Sequence, residues 1–150
     1  MGLEAKALPG ISAEDCLFAD LLVNPGDVGC LSFESTDFML YHRKWDPNSH
    51  LVLWQVGVIG LLSQPFAAYD NRKGAQLLLE YLQEHYPLDH EVTIYEAAQY
   101  PHFTPRIERY PLSALPEIEY SALTTLYVPP AKKSKRDDRV LERLGVKLDS

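Results

Sequence analysis

The sequence predicts a layered fold of the α/β or α+β type, and three observations carry that expectation. Leu51-Val52-Leu53-Trp54-Gln55-Val56 is a near-continuous apolar run, which suits a strand covered on both faces. Residues 71–86 repeat apolar side chains at helical spacing. The element order reads helix, strand, strand, helix, strand, strand, strand, which packs as helices layered on a sheet.

Each element has a local cause. Pro9-Gly10-Ile11 reads as a turn into the first helix, where Ser12 is a good N-cap and Asp15 completes a capping box. Leu17, Phe18, Leu21 and Leu22 form the apolar stripe of that helix, and Asn24-Pro25-Gly26 stops it. Val28 to Phe33 reads as a short strand, while Asp37 to Tyr41 fits either a helical turn or an extended edge. Asp46-Pro47-Asn48-Ser49 is turn chemistry ahead of the apolar run. Gly57 and Gly60 flank a second apolar piece, where close backbone approach is expected.

In the helix from Asn71 to Tyr86, Leu77, Leu78, Tyr81 and Leu82 line one face. Lys73, Gln76, Glu80 and Gln83 line the other, and Pro87 ends it. Glu91 to Tyr95 and Arg106 to Tyr110 read as strands around a loop at Pro101 to Pro105. Leu112 to Leu115 is a helical turn, and Thr124 to Val128 is a β-rich last strand stopped by Pro129-Pro130. A charged tail follows, with a short helix from Asp137 to Leu144 closed by Gly145.

Composition excludes several classes. The 150 residues suit one domain by the usual span of about 100–200. A net charge of −7 argues against non-specific nucleic-acid binding, which needs a cationic surplus. Lys132, Lys133, Lys135 and Arg136 run straight into Asp137 and Asp138, a solvated tail. Cys16 and Cys30 form no Cys-x-x-Cys pair and read as small buried hydrophobes in a reducing, cytoplasmic setting. Met1 to Lys6 lacks the order of a signal peptide, and no apolar run reaches the ~20 residues of a membrane span.

Nor does a metal or hydrolase signature stand out. His42, His50, His85, His90 and His102 have no metal-ligand spacing and read as surface or loop residues, so no metal is expected. None of Ser12, Ser32, Ser49, Ser63 or Ser113 lies in a nucleophile elbow. Asp15 and Asp20 fall on different faces of one helix and do not make a carboxylate pair.

Several blocks, in order, carry a resemblance. Leu8 to Asp15, Leu51 to Gly57, Ala97-Ala98 and Thr124 to Pro130 resemble segments of the tetrapyrrole methylases, which are S-adenosylmethionine-dependent methyltransferases. The pattern Gly10 to Asp15, then Leu17 to Leu21, Trp54 to Gly57 and Leu126 to Pro130, is most similar to borosin-type peptide-backbone N-methyltransferases. The resemblance narrows the fold to α/β: the C-terminal half of a tetrapyrrole methylase fold, a mixed β-sheet flanked by helices. It divides the chain into a remnant of the N-terminal methylase domain at 1–45, a C-terminal methylase domain at 46–130 and a charged tail at 131–150.

The resemblance also implies S-adenosylmethionine as cofactor, a homodimer, and a peptide or small-molecule substrate, with peptide backbone preferred over a tetrapyrrole. Ser12 and Ala13, at a helix N-terminus, match the segment that approaches the cofactor; Ser12 as a plain cap is the structural alternative. Gln55 and Val56 match backbone that frames the adenine, against a plain buried strand. Ala97 matches a small residue beside the same ring, against simple packing. Tyr95, Tyr100 and Tyr110 are candidates for the edge of the substrate cleft, against packing.

The sequence has no Gly-rich loop ahead of Pro9-Gly10-Ile11-Ser12. In the borosin type that upstream half holds the catalytic tyrosines and arginine, so no position here inherits them. The expectation is a truncated or split methyltransferase that works with a separate N-terminal half. The alternative is a non-catalytic dimerisation or protein-binding remnant.

Overall fold

The structure, a computed structural model, describes residues 10–61, 69–133 and 135–145. Leu8 and Pro9 of the first block, and Ser63, lie outside the described residues. Helix α1 (Ala13–Leu21) starts at the expected box: Ser12 Oγ accepts from the Asp15 N–H at 3.1 Å, and Asp15 Oδ2 accepts from the Ser12 N–H at 2.8 Å. Leu17 is the fully buried residue of this helix. Leu22 does not join the stripe, because it caps the helix at φ 55 and faces solvent.

Strand β1 (Cys30–Glu34) leads directly into α2 (Ser35–Leu40), so the segment that fitted two readings is helical. The Glu34 carboxylate accepts from the Asp37 N–H at 2.7 Å and starts that turn, and Phe38 and Met39 enter the core. Strand β2 (His50–Trp54) is shorter than the apolar run, because Gln55 turns into the left-handed region at φ 58. His50 opens β2 and is buried, which corrects its reading as a surface or loop residue; it lies within hydrogen-bond distance of Tyr127 and Asp27.

Helix α3 (Arg72–Leu82) ends earlier than Tyr86 and buries Leu78 and Leu82 of the expected face, with Tyr81 packed at its edge, but adds Ala75 and Leu79 and leaves Leu77 out. Ala75, Leu78, Leu79 and Leu82 are buried at spacings of three, four and seven, whereas Leu77 is exposed. Strands β3 (Glu91–Glu96) and β4 (Arg106–Pro111) form an antiparallel pair, followed by a 3₁₀ turn at Leu112–Glu117. Strand β5 (Thr125–Val128) precedes α4 (Asp138–Leu144) in the tail.

The strands make one mixed five-stranded sheet in the order β1-β2-β5-β3-β4. Only β1 and β2 run parallel; β2–β5, β5–β3 and β3–β4 are antiparallel. Strand alternation sorts the side chains onto two covered faces. Leu51, Leu53, Val92, Ile94, Leu126 and Val128 pack with α2, α3 and the 3₁₀ turn. Val52, Tyr95 and Tyr127 pack under Leu17 of α1. The fold is thus α/β, a mixed sheet flanked by helices. Cys16 and Cys30 are free and half-buried rather than buried, and burial pushes the Cys30 thiol up to about 11.

Candidate functional site

Alternation and register place three side chains in a row at one end of the sheet. Tyr95 pairs with Thr125, and Trp54 lies one residue beyond the Leu53–Leu126 pair. All three belong to the α1 face, because Trp54 and Tyr95 pack with Leu17 and Val52 there. Past this row the chain turns three times. Gln55 follows β2, Ala97-Ala98-Gln99 follows β3, and Ala122-Leu123 precedes β5. Together with Ala13 at the start of α1 these residues line a cavity of about 470 Å³. That volume lies in the range of small-molecule sites, and its lining is mostly apolar.

Small side chains shape the cavity. Ala13, Ala97, Ala98 and Ala122 leave room for a flat ring to approach the backbone, while the Trp54 indole supplies an aromatic wall. The Trp54 indole N–H donates to Ser32 Oγ, which fixes the ring. Tyr95 is almost fully buried, and its hydroxyl donates to Asp20 Oδ2 at 2.8 Å. Burial, then the bond to Asp20, raises the phenol well above the ordinary tyrosine range, so it stays neutral.

The turns are tied to one another. The Val56 N–H donates to the Thr124 carbonyl at 3.1 Å, and a Cβ on Gly57 would lie 1.9 Å from the Ser121 carbonyl oxygen. Close backbone approach at Gly57 is therefore met. Thr124 Oγ1 accepts from the Ser121 N–H at 2.8 Å and donates to Glu96 Oε1 at 2.6 Å. Arg106 donates to Glu96 at 3.0 Å, to Glu108 at 2.7 Å and to the Glu119 carbonyl at 3.0 Å.

Of the residues singled out from the sequence, Ala13, Gln55 and Ala97 meet in this cavity. Ser12 and Val56 adjoin lining residues but do not line it. The Ser12 hydroxyl is engaged in the cap, and the Val56 side chain is buried in the core on the α2–α3 side. Gln55 is exposed at the mouth, one residue past the end of β2, which corrects its placement in a buried strand. Tyr95 lines the cavity; Tyr100 lines a smaller neighbouring one; Tyr110 donates to Glu108 instead. Trp54, Ala98, Gln99, Ala122, Leu123 and Thr125 were not foreseen as lining. Alternation from Val52 to Trp54 could have flagged the indole, but which turn meets which could not be read locally.

A second apolar cavity, about 500 Å³ between α2 and α3, gathers none of the five candidates. Among the described residues, no group of three or more His, Cys, Asp or Glu is placed to hold a metal ion. Among them, too, no helix is long and apolar enough to cross a membrane.

No protein-family profile matches the chain. It is similar to three fungal proteins whose names join a methyltransferase to a peptide precursor. The methyltransferase/ribosomally synthesized cyclic peptide omphalotin A precursor of Omphalotus olearius is 39% identical over 147 residues, covering 95% of this chain and 35% of the relative. The corresponding dendrothelin A precursor of Dendrothele bispora is 41% identical over 150 residues, covering 95% of this chain and 36% of the relative. A type III borosin cyclic peptide precursor of Anomoporia bombycina is 43% identical over 149 residues, covering 97% of this chain and 17% of the relative. The chain therefore spans about a third of the length of the first two and less of the third. Its homologues are named methyltransferases.

Proposed function

We propose that this chain is the cofactor-holding portion of an S-adenosylmethionine-dependent methyltransferase acting on a peptide backbone, on a tetrapyrrole methylase fold. The observation that carries the reading is the meeting of Ala13, Gln55 and Ala97 in one cavity. These positions come from separate parts of the chain, the start of α1, the turn after β2 and the turn after β3. Relatives whose names pair methyltransferase with cyclic peptide precursor support peptide over tetrapyrrole as substrate.

The cavity fits an adenosyl group. Its four alanines leave a flat, shallow cradle, and Trp54 offers a ring to stack against. Ala13, Trp54, Gln55, Tyr95, Ala97 and Thr125 would hold the group; when bound, it supplies an electrophilic methyl on a sulfonium sulfur. The contribution of these residues is positional. Neutral Tyr95 and the alanines exclude water, and the Gln55 amide at the mouth is free to orient a polar edge. A homodimer belongs to the same reading, as the resemblance to peptide-backbone methyltransferases implies.

Isothermal titration with S-adenosylhomocysteine tests the site. Binding at micromolar strength, about −8 kcal/mol, is expected, and Ala97→Phe, which fills the cradle, abolishes it. Absence of heat with the unsubstituted chain would overturn the claim that this chain holds a usable cofactor site.

A further inference from the structure

A smaller cavity of about 240 Å³ adjoins the first, and Ala97, Ala98 and Gln99 line both. We infer that this second cavity receives a neutral, apolar side chain of the peptide that is methylated, gripped by Tyr100 and Phe103. The inference rests on the reading of the larger cavity as the methyl-donor site, and it adds where the acceptor lies and which residues select it.

Contiguity is the first argument. Methyl transfer needs donor and acceptor atoms about 3–3.5 Å apart before reaction, so the acceptor must sit against the donor's own wall. The 97–99 segment is a wall common to both cavities.

The rim is the second. Tyr100 and Phe103 are 62% and 66% exposed, with ring centroids 5.8 Å apart. Two large aromatic rings held side by side in solvent at a cavity mouth are the residue types that dominate peptide contacts. The volume is about half that of the donor cavity, too small for a second nucleoside and suited to a single side chain.

Charge is the third. Glu96 and Arg106 line the floor, but their charges are already engaged. Arg106 is bonded to Glu96, Glu108 and the Glu119 carbonyl, and Glu96 also accepts from Thr124. Two carboxylates share one guanidinium, which leaves one negative charge in excess. An acidic side chain entering here meets that charge, and the cationic residue that lines the cavity, Arg106, is already paired. A neutral one meets aromatic faces and satisfied polar groups.

The test uses the whole chain and two blocked hexapeptides, one with a central Leu-Leu and one with a central Asp-Asp, followed by aromatic-proton NMR with and without saturating S-adenosylhomocysteine. The leucine peptide is expected to shift the Tyr100 and Phe103 resonances and to bind at least roughly five-fold tighter than the aspartate peptide. Tyr100→Ala/Phe103→Ala changes two exposed rings and leaves the core intact. It is expected to weaken the leucine peptide by roughly five-fold or more and to leave the S-adenosylhomocysteine affinity unchanged. Equal binding of the two peptides, no binding of either, or an unaffected double variant overturns the inference. Loss of cofactor-analogue binding with retained peptide selectivity would instead sink the donor-site reading and leave the peptide pocket standing.

Discussion

The Tyr95 hydroxyl donates to Asp20 Oδ2 at 2.8 Å across 75 residues of sequence, joining β3 to the outer turn of α1. The same helix presents Ala13 to the cavity that Tyr95 lines. The bond therefore links the position of a helix to the shape of a ligand site. Tyr95→Phe removes it while keeping the ring. Asp20 is exposed and regains water, so the expected loss is about 1 kcal/mol. Urea unfolding measures it, and S-adenosylhomocysteine affinity is expected to fall as α1 loosens. Unchanged stability together with unchanged affinity would show that the helix is held by Leu17 packing alone.

Gly57 is pressed against the backbone of the turn before β5. A methyl group there would meet the Ser121 carbonyl oxygen at 1.9 Å, and backbone cannot rotate away as a flexible side chain can. Gly57→Ala is expected to destabilise by roughly 2–3 kcal/mol and to perturb the Ala122–Leu123 wall. Thermal unfolding gives the first number, and Trp54 fluorescence reports the second.

Gln55 holds φ 58 without being glycine. Leu22 and His42 also have positive φ, and both follow helix ends, where a left-handed residue is a common way to stop; Gln55 follows a strand and faces the cavity. Gln55→Gly is expected to relieve the strain and raise stability by about 1 kcal/mol, while weakening S-adenosylhomocysteine binding through loss of the amide. A variant that is less stable and binds normally would contradict both parts.

Arg106 controls acid stability. Its hydrogen bond and charge hold the Glu108 carboxyl below the ordinary range. At Glu96, burial pushes the carboxyl up, but bonds from Thr124, Ser121 and Arg106 outweigh it and leave it lowered. A lowered carboxylate stabilises the fold above its unfolded value, about 4.3, and that contribution disappears as pH falls through the folded value. Arg106→Gln is expected to cost about 1 kcal/mol at pH 7 and to flatten the loss of stability on going from pH 5 to pH 3. Denaturant titrations at the three pH values check this; an unchanged slope would remove Arg106 from the account.

The legible parts were those with local causes. The Ser12–Asp15 box, the buried strand at Leu51 to Trp54, the strand from Glu91 to Tyr95, and the Gly145 stop all follow from neighbouring residues. On α3 the sequence placed Leu78 and Leu82 correctly but not Leu77 and Leu79, because three leucines run consecutively; packing against the 3₁₀ turn and α2 buries Leu79 and leaves Leu77 exposed. His50 was misplaced because it stands at the edge of a turn in the chain but inside a parallel pair in space.

The sequence by itself determined most element types and a layer of helices on a sheet, and its resemblance to known methyltransferases pointed to Ala13, Gln55 and Ala97, three of the residues that line the 470 Å³ cavity. Only the tertiary structure decided that β5, last of the strands in the chain, inserts between β2 and β3. That insertion brings the Ser121–Thr124 turn against Gly57 and Val56, and it sets Thr125 beside Tyr95. The reason is physical. Strand order and register depend on hydrogen bonds between segments tens of residues apart, and each strand's own alternation is compatible with many partners.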